Sequence, residues 1–167
     1  MNTLINFKPV NNDAVEALMA IENACHSHPW TLKTMSSCIG GRYFNLAAFD
    51  SDILVGFYIG EKAGPDFTLM DICVTPEHQG KGIAKQLLSK FIEHGEQQNA
   101  ENLFLEVRES NTRAIKLYEQ AGFIEMSVRK NYYPSDDATK NGFEDAILMG
   151  MASVSYTHLT LPTILLV

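Results

Sequence analysis

The stretch from Thr68 to Leu88 constrains the fold of this chain more than any other. An apolar run, Leu69 to Val74, stops at Pro76, and a polar loop with two glycines, Gly80 and Gly82, follows. A helical pattern then begins, with Ile83, Leu87, Leu88, Phe91 and Ile92 on one side. Strand, loop and helix in that order have a chemical consequence. The N–H groups of a helix's first turn have no acceptor within the helix, so they are available to an anion such as phosphate. Gly80 and Gly82 let the backbone approach a ligand closely. The Walker pattern is absent, since no Gly-Lys-Ser/Thr stands at the required spacing. The dinucleotide fingerprint lacks its third glycine. From local pattern alone, a phosphate site and a plain strand-to-helix turn are equally good readings.

The flanking segments read as support for that junction. Phe7 to Val10 has the pattern of a short edge strand. Asn11 or Asn12 can cap a helix reaching about Ala24, with Val15, Leu18, Met19 and Cys25 on its apolar side. Thr31 can cap a second, short helix with Leu32, Met35 and Ile39 inward, ended at Gly40-Gly41. Tyr43 to Phe49 and Ile53 to Ile59 read as a hairpin, followed by a polar loop from Gly60 to Asp66. Phe67 to Val74 is the strand that feeds the junction, and the helix after it is predicted to end near Glu93, with Gly95 as terminator. Downstream, Leu103, Leu105 and Val107 share one face of a strand and Phe104, Glu106 and Arg108 the other. Asn111 caps a helix that Gly122 ends, and strands from Phe123 to about Asn131 and from Asp145 to Met151 close the pattern. The expectation is one α/β domain over residues 1–151, a mixed, mostly antiparallel twisted sheet flanked by helices. Ser153 to Val167 does not extend this pattern and reads as a non-native or disordered tail.

Composition narrows the function. A chain of 167 residues with 46% apolar and 20% charged residues can bury one real core. A formal net charge of -7 disfavours general nucleic-acid binding, which needs a basic footprint. It suits a basic peptide partner, although a solvated acidic surface explains it more simply. Cys25, Cys38 and Cys73 are odd in number and widely spaced, which suggests neither a disulfide framework nor a metal cluster and fits a reducing, cytoplasmic compartment. No signal peptide is evident and no run approaches a membrane span. The histidines show no metal-ligand spacing. His26 and His28 with Glu22 make a weak site at best, and Cys73 reads as a small buried hydrophobe. No metal is expected.

Two side chains carry candidate chemistry. Glu106 lies in a strand otherwise fit for burial, and partial burial raises a carboxyl toward the range of a general base. The rival reading pairs it with Arg108 or Arg129 on the sheet face. Tyr118, on the following helix, carries a phenol of pKa about 10, able to protonate a thiolate whose thiol lies near 8.5. Its rival reading, a core tyrosine with a satisfied hydroxyl, is the better one on pattern alone.

Together these residues resemble a known family. Val74-Thr75-Pro76-Glu77-His78-Gln79-Gly80-Lys81-Gly82-Ile83-Ala84 is similar to the acetyl-CoA signature of the GNAT N-acetyltransferases, Gln/Arg-x-x-Gly-x-Gly/Ala, here Gln79, Gly82 and Ala84. Leu105-Glu106-Val107-Arg108 with Asn111, Ala114, Tyr118 and Gly122-Phe123 resembles the family's second block. His28-Pro29-Trp30, Arg42-Tyr43-Phe44-Asn45, Arg129-Lys130-Asn131-Tyr132-Tyr133 and Glu144-Asp145-Ala146 resemble its branch that acetylates the N-terminal alanine of ribosomal protein S18. The likeness covers about residues 1–151. It implies a GNAT-like fold and acetyl-CoA as co-substrate. Gln79, Gly80, Lys81, Gly82, Ile83 and Ala84 would hold the pyrophosphate, and Asp71, Ile72, Cys73 and Val74 the pantetheine arm through their backbone. Asn111 would hold CoA on the far strand side. Glu106 would be the general base, Tyr118 the general acid, and Arg42 to Asn45 would sit near the peptide groove. The implied partner is the N-terminus of ribosomal protein S18, with no nucleic acid, membrane or metal required. Acidic residues such as Glu109, Glu144 or Asp145 would attract a basic tail. The alternatives are acetylation of another protein N-terminus, a lysine or a small amine, and a CoA-binding regulatory module without turnover.

Overall fold

A computed structural model describes residues 4–153. Of the expected tail, all but Ser153 lies outside the described residues. The strands are β1 (Ile5–Lys8), β2 (Tyr43–Asp50), β3 (Ile53–Ala63), β4 (Asp66–Val74), β5 (Asn102–Arg108), β6 (Ile124–Pro134) and β7 (Phe143–Ala152). The helices are α1 (Val15–Cys25), α2 (Leu32–Ser37), α3 (Ile83–Gln97) and α4 (Thr112–Ala121). The sheet runs β1-β2-β3-β4-β5-β7-β6, and the pairs β1/β2, β2/β3, β5/β7 and β6/β7 are antiparallel. This is the mixed, mostly antiparallel α/β architecture expected from the sequence.

The chain falls into two compact units, one up to Ala63 plus Leu69–Phe91, the other Gly64–Thr68 plus Ile92 onward. The first holds a core of Leu18, Ile21, Met35, Ala47, Phe57 and Ile59, all buried. Asn11 caps the entry to α1, its side chain accepting from the Asp13 N–H, through a short 3-10 turn, Asn12–Ala14. Thr31 caps α2 as expected, but only Met35 turns fully inward, and Leu32 is 53% exposed. Asn45 ties β2 to the segment after β1. Its side chain donates to the Val10 carbonyl at 2.9 Å and accepts from the Val10 N–H at 2.8 Å.

The hairpin is longer than its apolar run. β3 continues through Glu61 and Lys62 because Tyr43 and Phe44 on β2 still pair with Glu61 and Gly60. Gly60 makes that possible. A side chain there would collide with the ring of Phe44, which stacks on Phe91 at 6.0 Å with planes 8° apart. Gly60→Ala is expected to cost about 1–3 kcal/mol, because the Phe44 ring would have to shift out of its stack on Phe91. Urea titration checks this, and an unchanged midpoint would mean that the Phe44–Phe91 stack adapts freely.

In the second unit β5 alternates as expected, with Leu103, Leu105 and Val107 buried. Asn111 Oδ1 accepts the Ala114 N–H at 3.2 Å, and Gly122 ends α4 in the left-handed region at φ 112°. Gly95 does not end α3. It lies inside the helix, where a Cβ would stand 2.6 Å from Leu103 Cδ2, so it is there for close packing on β5. Gly150 on β7 lies opposite Phe104 and has the same kind of aromatic cover as Gly60.

Candidate active site

The loop that opened the sequence reading is built within the first unit. β4 ends at Val74, a 3-10 turn spans Pro76–His78, and α3 starts at Ile83. Gly80 and Gly82 take φ of 79° and 83°, a region that side chains rarely adopt, and none of the described residues lies within 4 Å of where their Cβ atoms would be. The first helical bond runs from the Gln86 N–H to the Gly82 carbonyl at 3.1 Å. The N–H groups of Ile83, Ala84 and Lys85 therefore precede the helical ladder. Ile83, Leu87, Leu88 and Phe91 bury the opposite face of the helix. Side chains pin the loop to the strand. Gln79 Nε2 donates to the Val74 carbonyl at 3.0 Å, and His78 lies 3.1 Å from Thr75 Oγ1 and 2.9 Å from Asp50 Oδ2. Asp71, Ile72, Cys73, Val74 and Gln79 to Ala84 thus form one connected structure, open beside its glycines and with the donors a pyrophosphate needs.

Glu106, Asn111 and Tyr118 belong to the second unit. The Glu106 side chain is 22% exposed, and its Oε1 lies 3.3 Å from Arg129 Nε, the partner that the rival reading named. Arg129 also covers the Tyr132 ring, and Arg108 covers that of Tyr133. Burial, then the negative charge of Glu106, pushes the Tyr133 phenol up to about 12, so it stays protonated near neutral pH. Tyr118 is 6% exposed and meets Phe123 edge-on at 6.2 Å. Asn111 is the helix cap already described.

The acidic residues expected to draw in a basic tail are already neutralised. Glu109 pairs with Lys140 at 3.0 Å, Asp145 with Lys130 at 3.1 Å, and Glu144 with Arg108 at 2.9 Å. Phe44 is engaged in the stack on Phe91 and Asn45 in the Val10 clamp. Burial alone would raise the Glu144 carboxyl, but hydrogen bonds from Arg108 and Ser110 and the charges of Arg108 and Lys140 outweigh it and hold it below the usual 4.5. A group depressed by folding contributes stability present above 4.5 and lost as pH falls through its folded value. Glu144→Gln is therefore expected to cost about 1–3 kcal/mol at neutral pH, with the deficit closing in acid. Thermal melts between about pH 3 and pH 7 check this. A pH-independent deficit would assign the loss to shape rather than charge.

Sequence spacing missed one cluster. Glu22 and His26 on and just after α1 meet Asp71 and Cys73 of β4, although more than forty positions separate the two pairs. Glu22 is 1% and Cys73 4% exposed. Cys73 is buried in the apolar core as expected, and its thiol also meets His26 and Asp71, so His26 is more than a loop residue. Burial first, then the Asp71 carboxyl, pushes Glu22 up to about 8, and burial raises the Cys73 thiol. Contact with Asp71 raises His26.

A strand, a glycine loop and a helix start with N–H groups outside the ladder offer the donors that an anionic co-substrate needs. The chain belongs to the acetyltransferase (GNAT) family, whose model matches residues 15–123. It is 37% identical over 151 residues to the [ribosomal protein bS18]-alanine N-acetyltransferase of Escherichia coli K12, covering 90% of this chain and 97% of that one. The Salmonella typhimurium protein of the same name is 40% identical over 135 residues, covering 81% and 88%. The crystal structure of the Escherichia coli ribosomal-protein-S18-alanine N-acetyltransferase superposes with a TM-score of 0.85 at 35% identity, over 90% of this chain and 94% of that one. The chain is accordingly an acetyltransferase, with acetyl-CoA as its co-substrate.

Proposed function

We propose that this enzyme acetylates the α-amine of the N-terminal alanine of ribosomal protein S18. The observation that carries the reading is near-full-length likeness, in both directions, to enzymes of that name, and the open backbone of Gly80 and Gly82 supports it. A ribosomal substrate would place the enzyme in the cytoplasm. When bound, acetyl-CoA supplies the acetyl group as a thioester. Gln79, Gly80, Lys81, Gly82, Ile83 and Ala84 hold its pyrophosphate, residues Asp71 to Val74 the pantetheine, and Asn111 the far side of CoA. Glu106 takes a proton from the incoming α-amine, directly or through a water. An N–H between Ile72 and Val74 stabilises the negative oxygen as the amine attacks the carbonyl. Tyr118 protonates the departing thiolate. The α-amine, of pKa about 7.7–8, needs only modest help, so direct attack suffices without a covalent enzyme intermediate.

A peptide panel varied at residue one tests the specificity. Ala-initiated peptides carrying the S18 sequence are expected to give the highest kcat/KM, with larger first residues falling behind. Equal rates across the panel, or acetylation at lysine, would favour the broader reading of an acetyltransferase for other amines.

A further inference from the structure

We infer that Glu22, His26, Asp71 and Cys73 form a binding site for one divalent transition-metal ion of the zinc class, separate from the acetyl-transfer chemistry. Each residue offers one ligand atom, and the four atoms lie within 4.8 Å of one another. With either Glu22 oxygen as the ligand, four of the six spacings are 3.5 Å or less. His26 Nε2 is 3.2 Å from Asp71 Oδ1, 3.0 Å from Cys73 Sγ and 3.5 Å from Glu22 Oε1. Cys73 Sγ is 3.4 Å from Asp71 Oδ1 and 3.5 Å from Glu22 Oε2. Zn–ligand bonds of about 2.0–2.3 Å imply tetrahedral edges of roughly 3.3–3.8 Å, and the spacings of 3.0–3.5 Å lie within or slightly under that range. A small contraction or expansion around a cation completes the tetrahedron.

A second, independent observation points the same way. Among the described residues the buried Asp71 Oδ2 has no hydrogen-bond partner, and its side chain is 6% exposed. His26, 3.2 Å from Asp71 Oδ1, compensates the buried carboxyls of Asp71 and Glu22 in part, and a bound divalent cation would do so more fully. Neutral imidazole, thiolate and two carboxylates form the mixed N, S and O set that zinc accepts. His26, 37% exposed, gives the ion a route from solvent. Glu22 and His26 come from the C-terminal end of α1, and Asp71 and Cys73 from β4, so the ion would clip that helix to the strand assigned to pantetheine.

Chelator-stripped full-length protein titrated with Co²⁺ tests this. One Co²⁺ per chain is expected, with a thiolate-to-metal charge-transfer band and the visible spectrum of a four-coordinate site. Cys73→Ser should remove the charge-transfer band, while Cys38→Ala should keep it. In competition with a chromophoric chelator, His26→Gln should weaken Zn²⁺ binding by more than about tenfold, since loss of a residue that merely orients a ligand already costs 10–100-fold. His26 is the most exposed of the four, so this variant reads the site even where Cys73→Ser does not fold. Absence of stoichiometric uptake, or Zn²⁺ affinity unchanged in His26→Gln, would overturn the site. A charge-transfer band surviving in folded Cys73→Ser would do the same.

Discussion

Glu106→Gln is expected to lower kcat/KM on an Ala-initiated peptide by about 10²–10⁴-fold, the range for loss of a positioned general base. The loss should be deepest at low pH, where the α-amine is almost wholly protonated, and should shrink above about pH 8, where the amine is already neutral. Magnitude separates this from the structural reading of Glu106. Its ion pair with Arg129 is partly open to solvent, since the arginine side chain is 56% exposed. Such a pair contributes at most about 1 kcal/mol. Glu106→Gln should therefore melt close to the parent while losing most of its turnover, and Arg129→Gln should share the small stability change without the activity loss. A pH–rate profile parallel to the parent's would remove Glu106 from the role of base.

Tyr118→Phe is expected to reduce kcat by about 10²-fold with little change in KM, because a proton given to the leaving group matters only in the transition state. The effect should lie at the low end of the range for acid catalysis, since a thiol of pKa near 8.5 already leaves as a reasonably stable thiolate. Removing one hydroxyl from a residue packed edge-on against Phe123 preserves most of its apolar contact. An acyl-CoA analogue with a better leaving thiol should recover part of the lost rate. Failure of that rescue, or a rise in KM alone, would return Tyr118 to a structural role.

Local chemistry made much of this fold legible in advance. The cap at Asn111, the stop at Gly122 and the alternation of Leu103, Leu105 and Val107 are decided within a few residues, and all three stand in the structure. Gly95 misled because glycine ends a helix by its own dihedrals but stays inside one when a neighbour needs its space, and Leu103 is distant in sequence. β3 outran its apolar run because strand length depends on the partner strand, here Tyr43 and Phe44 of β2. Formal charge likewise said nothing about pairing. Glu109, Glu144 and Asp145 looked like an acidic lure until the fold set Lys140, Arg108 and Lys130 against them. The strand–loop–helix junction was visible because its strand, glycines and helix are contiguous. The cluster of Glu22, His26, Asp71 and Cys73 was not, because only the packing of α1 on β4 brings its halves together.

The most direct measurement is to incubate the purified chain with acetyl-CoA and a peptide bearing the S18 N-terminus, following free thiol release and peptide mass together. The expected result is one acetyl group on the alanine α-amine for each CoA thiol released, with none on lysine. Acetyl-CoA binding without either product would contradict the assignment and leave a CoA-binding module in its place.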